Sequence, residues 1–164
     1  MGLLAGRNAL VFGVANDHSI AWGIAKALHE HGAHVGFSSL ESLIDRRVAR
    51  LAASLDSPFV APCDVRDDAA VKAVFDRWGS EVGGLDILVH ALAFANREDL
   101  EGEFVDTSRD GFALALDVSA YSLVALAREA RPHLRPGSSI LTLSYYGAEK
   151  VVAHYNVMGV AKAA

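Results

Sequence analysis

Short apolar runs alternate with amphipathic stretches along this chain, which predicts an α/β fold: a doubly wound parallel sheet with helices on both faces, Rossmann-like in plan. Three observations carry the prediction. The run Asn8 to Phe12 (NALVF) stops at Gly13, and a helical pattern and a second apolar run follow within about thirty residues, making a βαβ unit. Leu85 to Phe94 (LDILVHALAF) is nearly continuous apolar sequence, as in a central strand covered on both sides. Between such runs the apolar residues recur at helical spacing.

Taken in order, Asn8 to Phe12 is the first strand, and Ile20, Ile24 and Leu28 set the buried face of a helix that Gly32 closes. His34 to Phe37 (HVGF) is the second strand, and Leu43 to Leu55, rich in Arg and Ala, the second helix. Phe59 to Pro62 is the third strand and runs into Cys63-Asp64-Val65. Asp68 to Trp78 carries Val71, Val74, Phe75 and Trp78 at i, i+3, i+4 and i+7, an amphipathic helix. The fourth strand, Leu85 to Phe94, precedes a long helix from Asp110 to Leu134, apolar on nearly every side through Phe112, Leu116, Tyr121, Val124 and their neighbours. Such a helix is expected to be buried on two sides, by the sheet and by another subunit. Pro136-Gly137 breaks it, Ser139 to Leu143 (SILTL) is the fifth strand, and a helix from Tyr155 to Lys162 follows. No repeat or linker interrupts residues 1–164, which read as one domain.

Of the 164 residues 52% are apolar, enough for a core, and the net charge of −5 is interspersed, leaving no basic stripe for nucleic acid. The longest apolar run, Ile87 to Ala95, is broken by His90 and too short to span a membrane. MGLLAGRNALVFG lacks a charged lead-in and a cleavage site, and Gly6 stands where a myristoylation signal has Ser or Thr. A single cysteine, Cys63, excludes an intrachain disulfide and fits a cytoplasmic protein. His29, His31 and His34 straddle a helix end without i, i+4 spacing, so no metal site is expected.

Ligands of doubly wound sheets bind beyond the carboxyl ends of the strands. The first such end, Gly13 to Ser19, is not a GxGxxG. Gly13 permits a sharp exit, and Ser19 and Ile20 offer N–H groups to a pyrophosphate at the helix N-terminus; a βα turn with a capping Ser has the same look. After the second strand Ser38-Ser39-Leu40-Glu41 gives no cation before Arg46, and Glu41 would repel a 2′-phosphate, which favours NAD(H) over NADP(H). Asp64 can accept from an adenine amino group or form an Asx turn. Tyr155 and Lys162 are seven apart, about two helical turns and so on one face. There the ammonium would favour the phenolate, and the phenol can donate to an oxygen that gains charge. A buried Tyr and a surface Lys would give the same spacing.

With these pieces placed, the chain resembles the enoyl-acyl-carrier-protein reductases of bacterial type II fatty-acid synthesis, a divergent branch of the short-chain dehydrogenase/reductase family. The likeness rests on Gly13-x5-Ser19-Ile20, Cys63-Asp64-Val65, His90-Ala-Leu-Ala-Phe-Ala95 and Leu143-Ser-Tyr-Tyr-Gly147-Ala-Glu-Lys-x4-Tyr155-Asn-Val-Met-Gly159-x2-Lys162. Ordinary family members have Tyr-x3-Lys; the longer Tyr-x6-Lys marks the enoyl reductases.

The resemblance implies reduction of the trans-2 double bond of enoyl-acyl-carrier-protein thioesters with NADH, by a homotetramer. It implies that Gly13, Ala15, Ser19 and Ile20 hold the pyrophosphate and ribose region, Leu40 lies near the adenosine, Asp64 and Val65 flank the adenine, and Leu92 lies by the nicotinamide-side ribose. Lys162 would hold the nicotinamide ribose hydroxyls and Tyr155 the thioester carbonyl, while Tyr145 would line the acyl pocket with Ala95 and Met158. Tyr145 stands near where ordinary members place a catalytic Ser. Family members continue well beyond the position of Ala164, so the expectation is the amino-terminal portion of a longer reductase, with the C-terminal part of the fold missing. Two other readings stay open: a carbonyl or alcohol dehydrogenase, against which the missing Tyr-x3-Lys counts, and a non-catalytic nucleotide-binding module.

Overall fold

The computed structural model describes residues 2–164; Met1 and the side chain of Arg46, the first cation after the second strand, lie outside the described residues. Five strands, β1 (Asn8–Phe12), β2 (His34–Ser39), β3 (Val60–Pro62), β4 (Leu85–His90) and β5 (Leu134–Thr142), form one parallel sheet in the order β3-β2-β1-β4-β5. β1 lies at the centre, all five residues buried, and pairs with β2 from Asn8↔His34 and with β4 from Ala9↔Ile87. The strand order reverses there, so the topological switch lies at the carboxyl ends of β1 and β4.

The period-two alternation of the strands feeds two cores. On one face α1 (Ile20–Glu30) and α2 (residues 41–53) set Trp22, Ala25, Val48 and Ala52 over Ala9, Val11 and Phe37. On the other, α3 (Asp68–Glu81) and α4 (Arg109–His133) set Val71, Phe75, Trp78 and Leu126 over Leu10, Phe12 and Leu88. Helices thus cover both faces, as the sequence predicts. Trp78 explains Gly36 in β2, because a Cβ there would lie 2.5 Å from the indole Cζ3. At the amino ends of the strands the buried Asp86 carboxylate accepts from Arg7 Nη1 at 2.8 Å, Arg135 Nη1 at 2.8 Å and the Asn8 N–H at 2.9 Å. Burial pushes its pKa up, but the amide and the two guanidinium groups outweigh this and hold it below the usual carboxylate range.

Four expectations are corrected. β4 ends at His90, not Phe94: Ala91 makes the last bond to Phe12 O, at 3.1 Å, and Ser119 Oγ takes over Phe94, accepting from its N–H at 3.0 Å and donating to its carbonyl at 3.2 Å. β5 starts at Leu134, absorbing Pro136-Gly137 in an irregularity of register opposite Leu85–Ile87. The final helix, α5, is Asn156–Ala163, with Tyr155 as its cap. Fourth, one stretch is long and apolar enough to cross a membrane by length and composition: α4, 25 residues with a mean hydropathy of 1.4 in its most apolar window. That helix packs Ala115, Ser119, Ser122, Leu126 and Ala130 inward on one face, around a π-turn at Asp117–Tyr121. Its other face leaves Tyr121 46% and Val124 57% exposed, so of the two burials expected from its composition the sheet side is present.

Candidate active site

At the carboxyl ends of β1 to β4 opens a crevice of about 490 Å³, lined among others by Gly13, Ala15, Leu40, Asp64, Val65 and Leu92. Gly13 has φ +102°, and a Cβ on it would stand 2.1 Å from the Ala91 carbonyl oxygen, so only glycine lets β1 turn away here against the exit of β4. Ser19 precedes α1 but its side chain makes no cap bond to the helix; the hydroxyl donates back to Asn16 O at 2.6 Å. The first turn of α1, with Ile20 70% exposed, is therefore left without a side-chain cap at the positive end of the helix dipole.

Asp64 takes the Asx role the sequence left open. Arg66 donates from Nε to its two carboxylate oxygens at 3.0 and 3.1 Å, and from its backbone N–H at 3.0 Å. The Arg66 hydrogen bond holds the Asp64 carboxyl below its ordinary pKa. Arg66 itself lines the crevice, a cation that follows β3 and not β2, the strand whose end the sequence points to for a 2′-phosphate. Cys63 is buried, and burial, with the charges of Asp64 and Asp67, pushes its thiol up to about 12, so it is no nucleophile. The Ser38 hydroxyl next to it is buried without a partner among the described residues.

A second hollow, of about 400 Å³, is lined by Tyr155, Gly147, Gly159, Phe104 and Val152. The Tyr155 ring stands edge-on to Tyr145, with centroids 4.9 Å apart and planes at 64°. Two glycines make its seat: a Cβ on Gly147 would lie 2.5 Å from Tyr155 Cδ1, and one on Gly159 would lie 2.9 Å from Gly147 O. Both glycines stand in the sequence motif without a role; the available signal was Gly147 directly after two tyrosines, Tyr145 and Tyr146. Ala95 and Met158 join Tyr155 in one apolar cluster with Ala115, Val157 and Ala161, Met158 inside it at 6% exposure. Tyr145 is half exposed.

Lys162 projects from α5 and donates from Nζ to Leu143 O at 2.9 Å and Leu92 O at 3.3 Å, the carbonyls just beyond β5 and β4. Burial lowers its pKa. The expected polarisation of the phenol by this ammonium is corrected. Burial, then Tyr145, raises the Tyr155 pKa, so the phenol keeps its proton rather than moving toward phenolate. The ammonium has its own partners in the two strand-end carbonyls. Beneath it the His90 imidazole is 1% exposed, with Nε2 at 2.8 Å from Ser122 Oγ and Nδ1 at 3.0 Å from Thr142 Oγ1. Among the described residues no three His, Cys, Asp or Glu side chains gather as a metal site would.

A family model described as enoyl-(acyl carrier protein) reductase matches residues 13–164. The NADH enoyl-[acyl-carrier-protein] reductase of Bacillus cereus is 52% identical over 99% of this chain and 64% of its own length. That of Aquifex aeolicus is 49% identical over 100% of this chain and 61% of its own. Among solved structures, the Bacillus cereus reductase with NADP+ and indole naphthyridinone superposes with a TM-score of 0.96 at 52% identity, covering 99% of this chain and 64% of that one. The Anaplasma phagocytophilum reductase in complex with NAD gives 0.94 at 48% identity, covering 99% and 63%. The chain thus spans less than two thirds of the length of these relatives. Because the match runs unbroken from the Gly13 turn through the seat of Tyr155 to Lys162, the chain belongs to the enoyl-(acyl carrier protein) reductase family.

Proposed function

We propose that the protein carrying this chain reduces the double bond of trans-2-enoyl thioesters borne on acyl carrier protein, using NADH, in cytoplasmic bacterial fatty-acid synthesis. Residues 1–164 supply its dinucleotide-binding domain, and the working form is a homotetramer. The observation that carries the reading is that Lys162, fastened to the carbonyl of a crevice wall residue, Leu92, rides on the same short helix that Tyr155 heads.

The residues present fit a dinucleotide. The crevice volume is in the range of small-molecule sites, and the uncapped start of α1 suits phosphates. Gly13, Ala15, Ser19 and Ile20 would hold the pyrophosphate and ribose region, Leu40, Asp64 and Val65 the adenosine, and Leu92 and Lys162 the nicotinamide-side ribose. The names of the relatives support NADH. When bound, NADH supplies hydride. The chain's own part is to stabilise the charge that reaches the thioester carbonyl oxygen as the conjugated double bond accepts that hydride. Tyr155, which keeps its proton, donates a hydrogen bond to that oxygen, and its seat between two glycines spares it reorganisation. Tyr145, Ala95 and Met158 form the apolar surroundings of the acyl group.

The test is to give the full-length protein NADH with a crotonyl thioester and, separately, with ketones. Oxidation of NADH with the enoyl substrate alone is expected. Oxidation with ketones alone would make it a carbonyl or alcohol dehydrogenase, and binding without turnover a nucleotide-binding module; either result overturns the proposal.

A further inference from the structure

His90 is a buried histidine that the reaction proposed above does not use. Ser122 spends its only hydroxyl proton on Val118 O, at 2.6 Å, so toward the ring it can only accept. His90 therefore carries its proton on Nε2, and the free Nδ1 lone pair accepts from the Thr142 hydroxyl. One neutral ring thus ties the last residue of β4 to the middle of α4 and to the last residue of β5. The chain positions are what matter next. Leu92 is two residues beyond His90 and Leu143 one beyond Thr142, and their carbonyls are the two that hold the Lys162 ammonium.

We propose that His90 is a positioning residue for Lys162: by locking the ends of β4 and β5 to α4 it fixes the two carbonyl oxygens that receive the ammonium. Past His90 the chain leaves the sheet, so no ladder bond holds Leu92 in place. Ser119 fixes Phe94 on the far side of that residue, and His90 fixes the near side. Burial holds the His90 pKa down to about 4, helped by the nearby Lys162 charge, so the ring stays a neutral hydrogen-bond partner instead of a second cation beneath the ammonium.

The inference rests on the proposed role of Lys162 in holding the dinucleotide, and its test separates the two. In the full-length protein labelled with 13Cε-lysine, the resonance lost in Lys162→Ala identifies Lys162. His90→Phe, which keeps the ring volume but no hydrogen bond, is expected to shift that resonance and to raise the KM for NADH about tenfold, the worth of one hydrogen bond to a charged group. Thr142→Val, a milder change, should do the same in lesser degree and covers the case in which His90→Phe does not fold. In a Lys162→Ala background neither change should weaken NADH binding further. An unmoved Lys162 resonance, or an equal loss in both backgrounds, overturns the proposal. A moved resonance in a protein whose Lys162→Ala variant binds NADH normally leaves the positioning role standing and removes the dinucleotide role of Lys162 instead.

Discussion

The phenol of Tyr155 and the imidazole of His90 are both pushed by burial toward their neutral forms, and for both this has a measurable consequence. Tyr155→Phe removes the proposed donor to the carbonyl oxygen, and turnover should fall roughly 10²–10³-fold while NADH affinity is retained. Steady-state kinetics with the enoyl thioester check this; unchanged turnover would take Tyr155 out of the mechanism. Since burial raises the Tyr155 pKa above its ordinary value, any alkaline loss of turnover from ionisation of this phenol should begin at higher pH than a free tyrosine would give. For His90 the sign runs the other way. Its folded pKa, about 4, lies below the ordinary 6.5, so the unfolded chain binds the proton more readily. Stability is then full above about pH 6.5 and declines as pH falls toward 4, by up to about 3 kcal/mol. Denaturant titrations across that range should show this slope in the wild type and its loss in His90→Phe; parallel curves would refute it.

Among the elements, the amino ends of β1, β4 and β5 are held by one carboxylate. The side chain of Asp86 is 3% exposed, while its partners Arg7 and Arg135 are 52% and 43% exposed. An unpaired acid would not be tolerated there, and a neutral residue leaves two cations without a counter-charge. Asp86→Asn should cost about 3 kcal/mol at pH 7. Because the folded pKa of Asp86 is depressed, its contribution is present above the ordinary carboxylate pKa and is lost as pH falls through the folded value. The gap between wild type and variant in chemical denaturation should therefore close in acid; a gap unchanged at low pH would mean that the charge is not what stabilises the strands. The π-turn of α4 is a second device at this scale. It brings Ser119 and Ser122 inward within one turn, one to grip Phe94 and the other to meet His90.

For the molecule as a whole, the surface is uneven. The sheet is covered on both faces, yet β5 exposes Ile140 at 41% and Leu141 at 47%, and the outer face of α4 exposes Tyr121 and Val124. Apolar side chains exposed in the middle of so apolar a helix fit contact with a second copy. Val124→Lys in the full-length protein should lower the assembly mass measured by light scattering on a sizing column. A mass unaffected by the charge would remove this face from the interface.

What could be read from the chain alone was what depends on periodicity and local chemistry. The two-period strands and the 3.6-period helices gave the doubly wound order, Gly13 marked the turn, and Ser144 to Lys162 marked the family. These are properties of neighbours in sequence, and backbone geometry turns them directly into elements. Tertiary structure decided whatever depends on which distant groups meet. Ser119 ends β4 at His90, Arg66 takes up Asp64, and two strand-end carbonyls receive the Lys162 ammonium. The glycines that seat Tyr155 belong with these. A hydrogen bond is won by the donor or acceptor that packing brings within about 3 Å, and spacing along a chain does not carry that distance.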